Sequence, residues 1–339
     1  MSKVFSVVAF YLFMITTAFA QNHELDSLLL ILKTTPEDTN KLTLLEGISD
    51  IAPDGEWQKY NEQMGVLSLK LLQSPDSSVR RAANLKRAVY FTNMAYHLGE
   101  IGDLNGAHKF LDNAIKINQE LGSDLLVGNY SSLGSIQDRL NNYEEAINNY
   151  RRALEITDQE TNPSYSMVLY TNLGVVYEKL GATDSSVFYF RKGLSIMESN
   201  NLRNQVSVIL LAHLGSNMIE KNKVDSAQLF FQRGLEMSMT IGDLAGKTRC
   251  LLGLAKLKYK SGDKVAARSL GQQALDTAIL SNKPLEIISA AHFMKQLFLS
   301  ENNYREAFEM YKLEITTRDT FSSQENEKDV IRHQYDFEY

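Results

Sequence analysis

"YTNLGVVYEKLGATDSSVFYFRKGLSI", Tyr170–Ile196, decides how the whole chain is read. Its first half carries apolar residues at helical spacing around Leu173-Gly174. "KLGATDS" then supplies glycine, small and hydroxyl residues, and the second half resumes helical spacing through Phe190 and Gly193-Leu194. A helix-stop signal followed at once by a helix-start signal predicts a hairpin of two helices. Two further stretches repeat the pattern: "YSSLGSIQDRLNNYEEAINNYRRALEI", Tyr130–Ile156, and "LAHLGSNMIEKNKVDSAQLFFQRGLEM", Leu211–Met237. With the apolar residue of each Leu-Gly-like pair as a landmark, the series is Met94, Leu133, Leu173, Leu214, Leu254 and Met294, at spacings of 39, 40, 41, 40 and 40. Self-similarity at a fixed period of this size marks a stack of identical supersecondary units.

The residue after each landmark is Ala95, Gly134, Gly174, Gly215, Ala255 and Lys295. Thirteen after it stand Ala107, Ala146, Ser186, Ala227, Ala267 and Ala307, and twenty after it Ala114, Ala153, Gly193, Gly234, Ala274 and Glu314. Small side chains there let antiparallel helices approach closely. Seventeen after the landmark come Leu111, Tyr150, Phe190, Phe231, Gly271 and Tyr311, mostly large residues suited to filling the gap to the next helix. Lys295 and Glu314 break the small-residue rule in the last unit, which predicts a terminal repeat with a solvated face.

This pattern resembles the tetratricopeptide repeat, most closely in "NLGVVYEKLG" and "EEAINNYRRALEI". The period near 40 exceeds that family's usual ~34 residues, so longer helices or expanded turns are expected. The resemblance implies an all-α fold, a right-handed α-solenoid of stacked hairpins, and a role in binding a protein or peptide in a concave groove, without catalysis. Extended units of this kind occur in the exported sensor regions of bacterial signalling receptors. The expected organisation is a signal peptide over 1–20, a degenerate helical cap over 21–77, six hairpins over 78–318, and a final helix or the start of a linker over 319–339. "PEDTNK" is expected to cap a helix within the cap region.

The 339 residues include five prolines and 22% charged residues, which favours long helices. A net charge of −6 argues against a general nucleic-acid role. "MSKVFSVVAFYLFMITTAFAQN" has a basic residue, an apolar run and a small-x-small end, the pattern of a secretory signal. The expected location is therefore periplasmic or extracellular, membrane-tethered if the segment is retained. No other stretch is apolar for the ~18 residues that a membrane span needs. The lone cysteine, Cys250, lies in "RCLLGLAK" and reads as a small core residue.

"GDLAGKTR", Gly242–Arg249, superficially resembles a phosphate-binding loop. It is one residue short of G-x-x-x-x-G-K-[ST] and follows no strand. Its place twelve residues before Leu254 makes it a boundary between hairpins, with Gly242 and Asp243 ending one and Lys247-Thr248-Arg249 beginning the next helix. The six histidines show no zinc spacing, so no metal and no cofactor are expected, and no catalytic constellation is evident.

The resemblance places residues two before, two after and five after each landmark on the groove side. The groove candidates are Tyr96, Ser135, Asp138, Glu178, Lys256, Tyr259, His292 and Gln296, with Arg249 added from the boundary segment. This makes the groove acidic in its middle and basic and aromatic in its later units. The Lys and Asn constellation with which the family clamps a terminal carboxylate is missing. Two functions follow: an exported interaction module, or the sensor region of a membrane receptor of histidine-kinase or transcriptional-regulator type whose output parts lie elsewhere. The oligomeric state is left open.

Overall fold

A computed structural model describes residues 24–53, 55–157 and 162–338, with side chains as far as 322. The signal-peptide assignment over 1–20 lies outside the described residues. Two compact units divide between Ser132 and Leu133.

The first unit holds α1 (24–34), α2 (Thr39–Ile51), α3 (Trp57–Leu71), α4 (Ser77–Glu100), α5 (Leu104–Leu121) and the start of α6 (Leu125–Arg139). Asp38 in the "PEDTNK" turn accepts hydrogen bonds from the backbone N–H of Asn40 and Lys41 and so caps α2. Leu25, Leu28, Leu29 and Leu32 of α1 pack on a core of Leu42, Leu45, Ile48 and Met64. Asp103 caps α5 through the N–H of Gly106.

The second unit contains the rest of α6, then α7 (Tyr143–Ile156), α8 (Pro163–Lys179), α9 (Thr183–Ser199), α10 (Gln205–Glu220), α11 (Val224–Ile241), α12 (Leu244–Lys260), α13 (Lys264–Ser281), α14 (Pro284–Ser300) and α15 (Tyr304–Glu338). The pairs α8/α9, α10/α11, α12/α13 and α14/α15 each pack as hairpins. Successive first helices α8, α10, α12 and α14 also touch one another, whereas no comparable contact joins successive second helices among the described residues. Within this unit the first helices therefore form the closer-spaced inner row. The helices α8 to α14 run 16 to 18 residues, so the long period comes from longer helices and not from expanded turns.

The turns follow one rule. Eight residues after each landmark the backbone is left-handed: Gly102, Asn141, Gly181, Asn222, Gly262 and Asn302 have φ of 90°, 60°, 71°, 54°, 84° and 56°. Twenty-eight after it, Gly122, Asn201, Gly242 and Asn282 are left-handed too. Glycine and asparagine tolerate this conformation where other residues are strained, which is why these links are two or three residues long, except for the five residues 200–204 between α9 and α10.

Inside each hairpin a ring sits where a side chain is missing. A Cβ on Gly174 would fall 2.4 Å from Phe190, one on Gly134 2.7 Å from Tyr150, and one on Gly215 2.7 Å from Phe231. The large residue expected to bridge to the next helix thus first covers the landmark glycine of its own hairpin. It also meets the next hairpin: His213 stacks on Phe190 with centroids 5.3 Å apart, and a Cβ on Gly253 would lie 2.2 Å from Phe231. Where the ring is replaced by Gly271, Phe293 and Met294 of the next helix fill the space, at 2.8 Å and 2.5 Å from its would-be Cβ. All six small residues thirteen after the landmark are buried.

Three expectations need correction. The "GDLAGKTR" boundary holds, with left-handed Gly242 ending α11, but α12 begins at Leu244, three residues earlier than expected. Asp243 accepts from the N–H of Gly246 and starts the helix there. Glu314 is not on a solvated face: it is 4% exposed, and its carboxylate accepts from Lys295 Nζ at 2.7 Å, Arg318 at 2.7 Å and His292 Nδ1 at 3.2 Å. Lys295 in turn sits over the Tyr311 ring, 5.5 Å from its centroid. The two departures from the small-residue rule compensate each other, since an ion pair spans the space a glycine and an alanine would close. The groove's middle is also less acidic than its sequence, because Asp138 is paired with Lys179 at 2.7 Å, while Glu178 is held by hydrogen-bond contacts to His213 at 2.7 Å and Asn217 at 3.0 Å. Cys250 is fully buried, and burial pushes its thiol up to about 12, as befits a core residue.

Burial works to raise the Glu314 pKa, but the hydrogen bonds and charges of Lys295 and His292 outweigh it and hold the carboxyl below its ordinary value. A carboxyl lowered in this way stabilises the fold above its unfolded pKa, and the contribution is lost as pH falls through the folded pKa. Glu314→Gln should therefore cost on the order of 2 kcal/mol at pH 7, and thermal unfolding should show that difference vanishing in acid. Gly174→Val should cost about 2–3 kcal/mol by forcing Phe190 from its seat, measured by urea unfolding followed by far-UV circular dichroism. Val265→Ala, exposed on α13, should change little under the same conditions.

Candidate partner-binding site

The first helices of the second unit present one side toward their own row. On α12 and α14 that side carries residues spaced by three and four, Lys256, Tyr259 and Lys260 on one helix and Ser289, His292 and Gln296 on the other. These are neighbours on a helix surface. Together with Ile219 of α10, Ile288 and Phe293 of α14, and Glu314 and Arg318 of α15 they line a cleft of about 520 Å³. Four sequence candidates, Lys256, Tyr259, His292 and Gln296, are brought together here.

The floor is apolar and aromatic. Tyr259 meets Phe293 edge-on, centroids 6.3 Å apart, with Ile219 and Ile288 beside them. The rim is basic. Arg318 and His292 are committed to Glu314, whereas Lys256 and Lys260 enter no ion pair among the described residues and are exposed. His292 Nε2 lies 2.8 Å from Gln296 Nε2 and its Nδ1 3.2 Å from Glu314. The two contacts hold the imidazole edge between the carboxylate and the Gln296 amide. Lys256 and Lys260 are the cleft cations that enter no ion pair among the described residues.

The other candidates lie elsewhere. Arg249 is not a cleft residue; its guanidinium is paired with Glu286 at 2.8 Å. Asp138 and Glu178 are occupied by Lys179 and His213, and Glu178 also accepts from Asn217 at 3.0 Å. Ser135 is exposed on α6. Tyr96 is 68% exposed on α4 of the first unit. Sequence reasoning missed Lys260, Ser289, Arg318 and the role of Glu314. Lys260 and Ser289 were reachable by extending the helical spacing one step along α12 and α14. Arg318 and Glu314 belong to a second helix, and nothing in the repeat pattern sends second-helix residues to the inner side.

Most ion pairs follow the repeat. Lys179–Asp138, Lys221–Asp184, Arg233–Glu198 and Arg249–Glu286 are separated by 41, 37, 35 and 37 residues. Each joins equivalent regions of successive hairpins. Exposed pairs contribute about 0–1 kcal/mol each, so their effect is on register more than on stability.

Comparison with known proteins identifies the repeat in part of the chain. Residues 133–199 match the tetratricopeptide repeat. Over 214 residues the chain is 25% identical to outer dynein arm-docking complex subunit 4 of Mus musculus, covering 60% of this chain and 34% of that protein. Over 95 residues it is 28% identical to anaphase-promoting complex subunit 8 of Arabidopsis thaliana, covering 28% of this chain and 15% of that one. The chain thus spans about a third or less of the length of these curated relatives. Among solved structures, the apo form of the quorum sensor NprR from B. thuringiensis superposes with a TM-score of 0.69 at 16% identity, covering 91% of this chain and 84% of that one. The apo form of RapI superposes at 0.61 and 15% identity, covering 78% and 93%. At these identities the structures show the fold alone, an all-α stack of helix hairpins. Repeat sequence, left-handed turns, ring-on-glycine contacts and fold agree: residues 133–199 carry tetratricopeptide repeats, set in a stack of like helix hairpins.

Proposed function

We propose that the chain is a non-catalytic, exported protein–protein interaction module, and that the α12/α14/α15 cleft takes part of a protein or peptide partner. The observation that carries this reading is the cleft's chemistry. An apolar and aromatic floor of Tyr259, Phe293, Ile219 and Ile288 lies beside two lysines, Lys256 and Lys260, that enter no ion pair among the described residues. A site of this kind suits an apolar side chain followed by an acidic one: the first is drawn out of water, and the second meets unneutralised charge. The Rap protein solved in complex with Competence and Sporulation Factor shares the hairpin stack, with a TM-score of 0.57 over 91% of this chain, which is compatible with such a role. The basic, apolar and small-x-small sequence of residues 1–20 supports export.

A second reading has its own observation. Helix α15 runs without a turn from Tyr304 to Glu338, twice the length of its neighbours. An unbroken helix leaving a repeat stack is suited to transmitting a binding event, which favours the sensor region of a membrane signalling receptor. Both readings use the same cleft.

Fluorescence anisotropy with labelled peptides tests the site. A Phe-x-x-Glu-Glu peptide should bind the chain, and Lys256→Glu with Lys260→Glu should weaken it by at least about tenfold. Tyr259→Ala should weaken apolar and acidic peptides alike. Affinity unchanged in the double charge reversal would remove the cleft from consideration.

A further inference from the structure

A second pocket lies against α9, a helix of the outer row. One wall is α9, through Phe188, Arg191, Lys192 and Ser195, and the other is the end of α10 and the turn after it, through Lys221 and Lys223. The pocket holds about 610 Å³. Val187 and Met218, 7% and 4% exposed, give it an apolar floor. One carboxylate lines it, Asp184, and that is paired with Lys221 at 2.7 Å. Arg191, Lys192 and Lys223 are exposed and enter no ion pair among the described residues. The Lys192 ammonium is held over two rings, 5.5 Å from the centroid of Phe188 and 6.0 Å from that of Tyr170. Glu220 and Asp225, close to Lys221 and Lys223 in sequence, lie outside the lining, and Glu198, further along α9, is held by Arg233 at 2.8 Å.

The other hairpins show that the stack does not itself require this surface. Fifteen residues after each landmark the second helix faces outward, and all six residues there are exposed. Lys109, Asn148, Ser269 and Glu309 are polar, one is Leu229, and the aromatic one is Phe188, 54% exposed. Four residues beyond the Arg191 position, on the same helix face, α7, α11 and α13 carry Glu155, Glu236 and Asp276. On α13 that carboxylate accepts from Gln272, the equivalent of Arg191, at 2.8 Å. On α9 the residue is Ser195, so Arg191 lacks the acid that other hairpins place one turn on.

Charge selects the occupant. Three unpaired cations gather in a chain whose net charge is −6, and such a pocket favours an anion. The apolar floor and Phe188 favour an anion that brings an apolar side chain, because a bare phosphate would leave that surface in water. The patch is also short. Asp184 and Glu198 bracket it along α9, 14 residues or about 21 Å apart, and a long polyanion following the helix would meet both carboxylates.

We propose that the pocket between α9 and the end of α10 is a second binding site, for a short acidic segment of another protein that carries an aromatic or long apolar side chain between its carboxylates. The carboxylates meet Arg191, Lys192 and Lys223, and the apolar side chain packs on Phe188. The site is separate from the α12/α14/α15 cleft.

The test uses the full chain carrying Lys256→Glu with Lys260→Glu, so that the outcome does not depend on whether the cleft binds. In fluorescence anisotropy a labelled Glu-Glu-Phe-Glu-Glu peptide should bind, and more weakly as salt is raised. Arg191→Glu with Lys223→Glu should weaken it at least about tenfold, and Phe188→Ala at least about threefold. Ser195→Glu, which restores the acid of the other hairpins, should act in the same direction. Lys312→Glu, the same charge reversal at the Arg191 position of α15, should leave binding unchanged. All these residues are exposed, so the melting temperatures of the variants should agree. Absence of binding, binding indifferent to Arg191→Glu with Lys223→Glu, or equal binding of a Lys-Lys-Phe-Lys-Lys peptide would overturn the proposal. Displacement of the peptide by inorganic phosphate or by a single-stranded oligonucleotide as readily as by unlabelled peptide would overturn it too, since the pocket would then be a phosphate site. So would sedimentation showing self-association of the chain that Arg191→Glu with Lys223→Glu dissolves, since the occupant would then be a second copy.

Discussion

An aromatic ring seated on a missing side chain is the contact on which the rest of the second unit depends. Phe231 touches positions where Gly215 and Gly253, on two different hairpins, have no Cβ. A buried phenylalanine contributes about 1.5–3 kcal/mol by leaving water. The same ring here also sets how closely three helices approach, because interiors tolerate neither a void nor an overlap. The exchange of ring and glycine between Gly271 and Phe293 shows the constraint acting on volume: the space is filled from whichever side supplies the ring. Spacing, turn geometry and the inner row of first helices all follow once each hairpin is closed in this way.

The same contact explains where function is placed. The ring contacts leave one side of α12 and α14 to polar and aromatic side chains that line the cleft. There Lys256 and Lys260 are exposed, while Leu251, Leu252 and Ala255 are buried in the core and Tyr259 packs partly against it. The ion pair that replaces small residues in the last hairpin has a further consequence. Glu314 reaches the cleft wall and holds His292 and Arg318 in place, so a departure from the repeat helps shape the site.

Much of the fold was legible in the sequence because repetition multiplies weak signals. A single Leu-Gly pair means little, but six landmarks with asparagine or glycine eight residues later fix hairpins, turns and register together. Lys256, Tyr259, His292 and Gln296 were legible as a group because the resemblance to the repeat family puts positions two before, two after and five after each landmark on the groove side. What was not legible depended on partners brought from another element. Asp138, Glu178 and Arg249 look like free charges until Lys179, His213 and Glu286 are placed beside them. Glu314 looks solvent-facing until Lys295 and Arg318 enclose it. Charge neutralisation across a repeat has no signature in the order of residues.

A double-mutant cycle between Phe231→Leu and Gly253→Ala, read by equilibrium urea unfolding, tests the central claim most directly. If ring and glycine form one interlocked contact, the smaller side chain should relieve the overlap caused by the added methyl, and the coupling energy should be about 1–2 kcal/mol. Additive effects, with a coupling energy near zero, would contradict the account, because the glycine would then be present for some reason other than the ring.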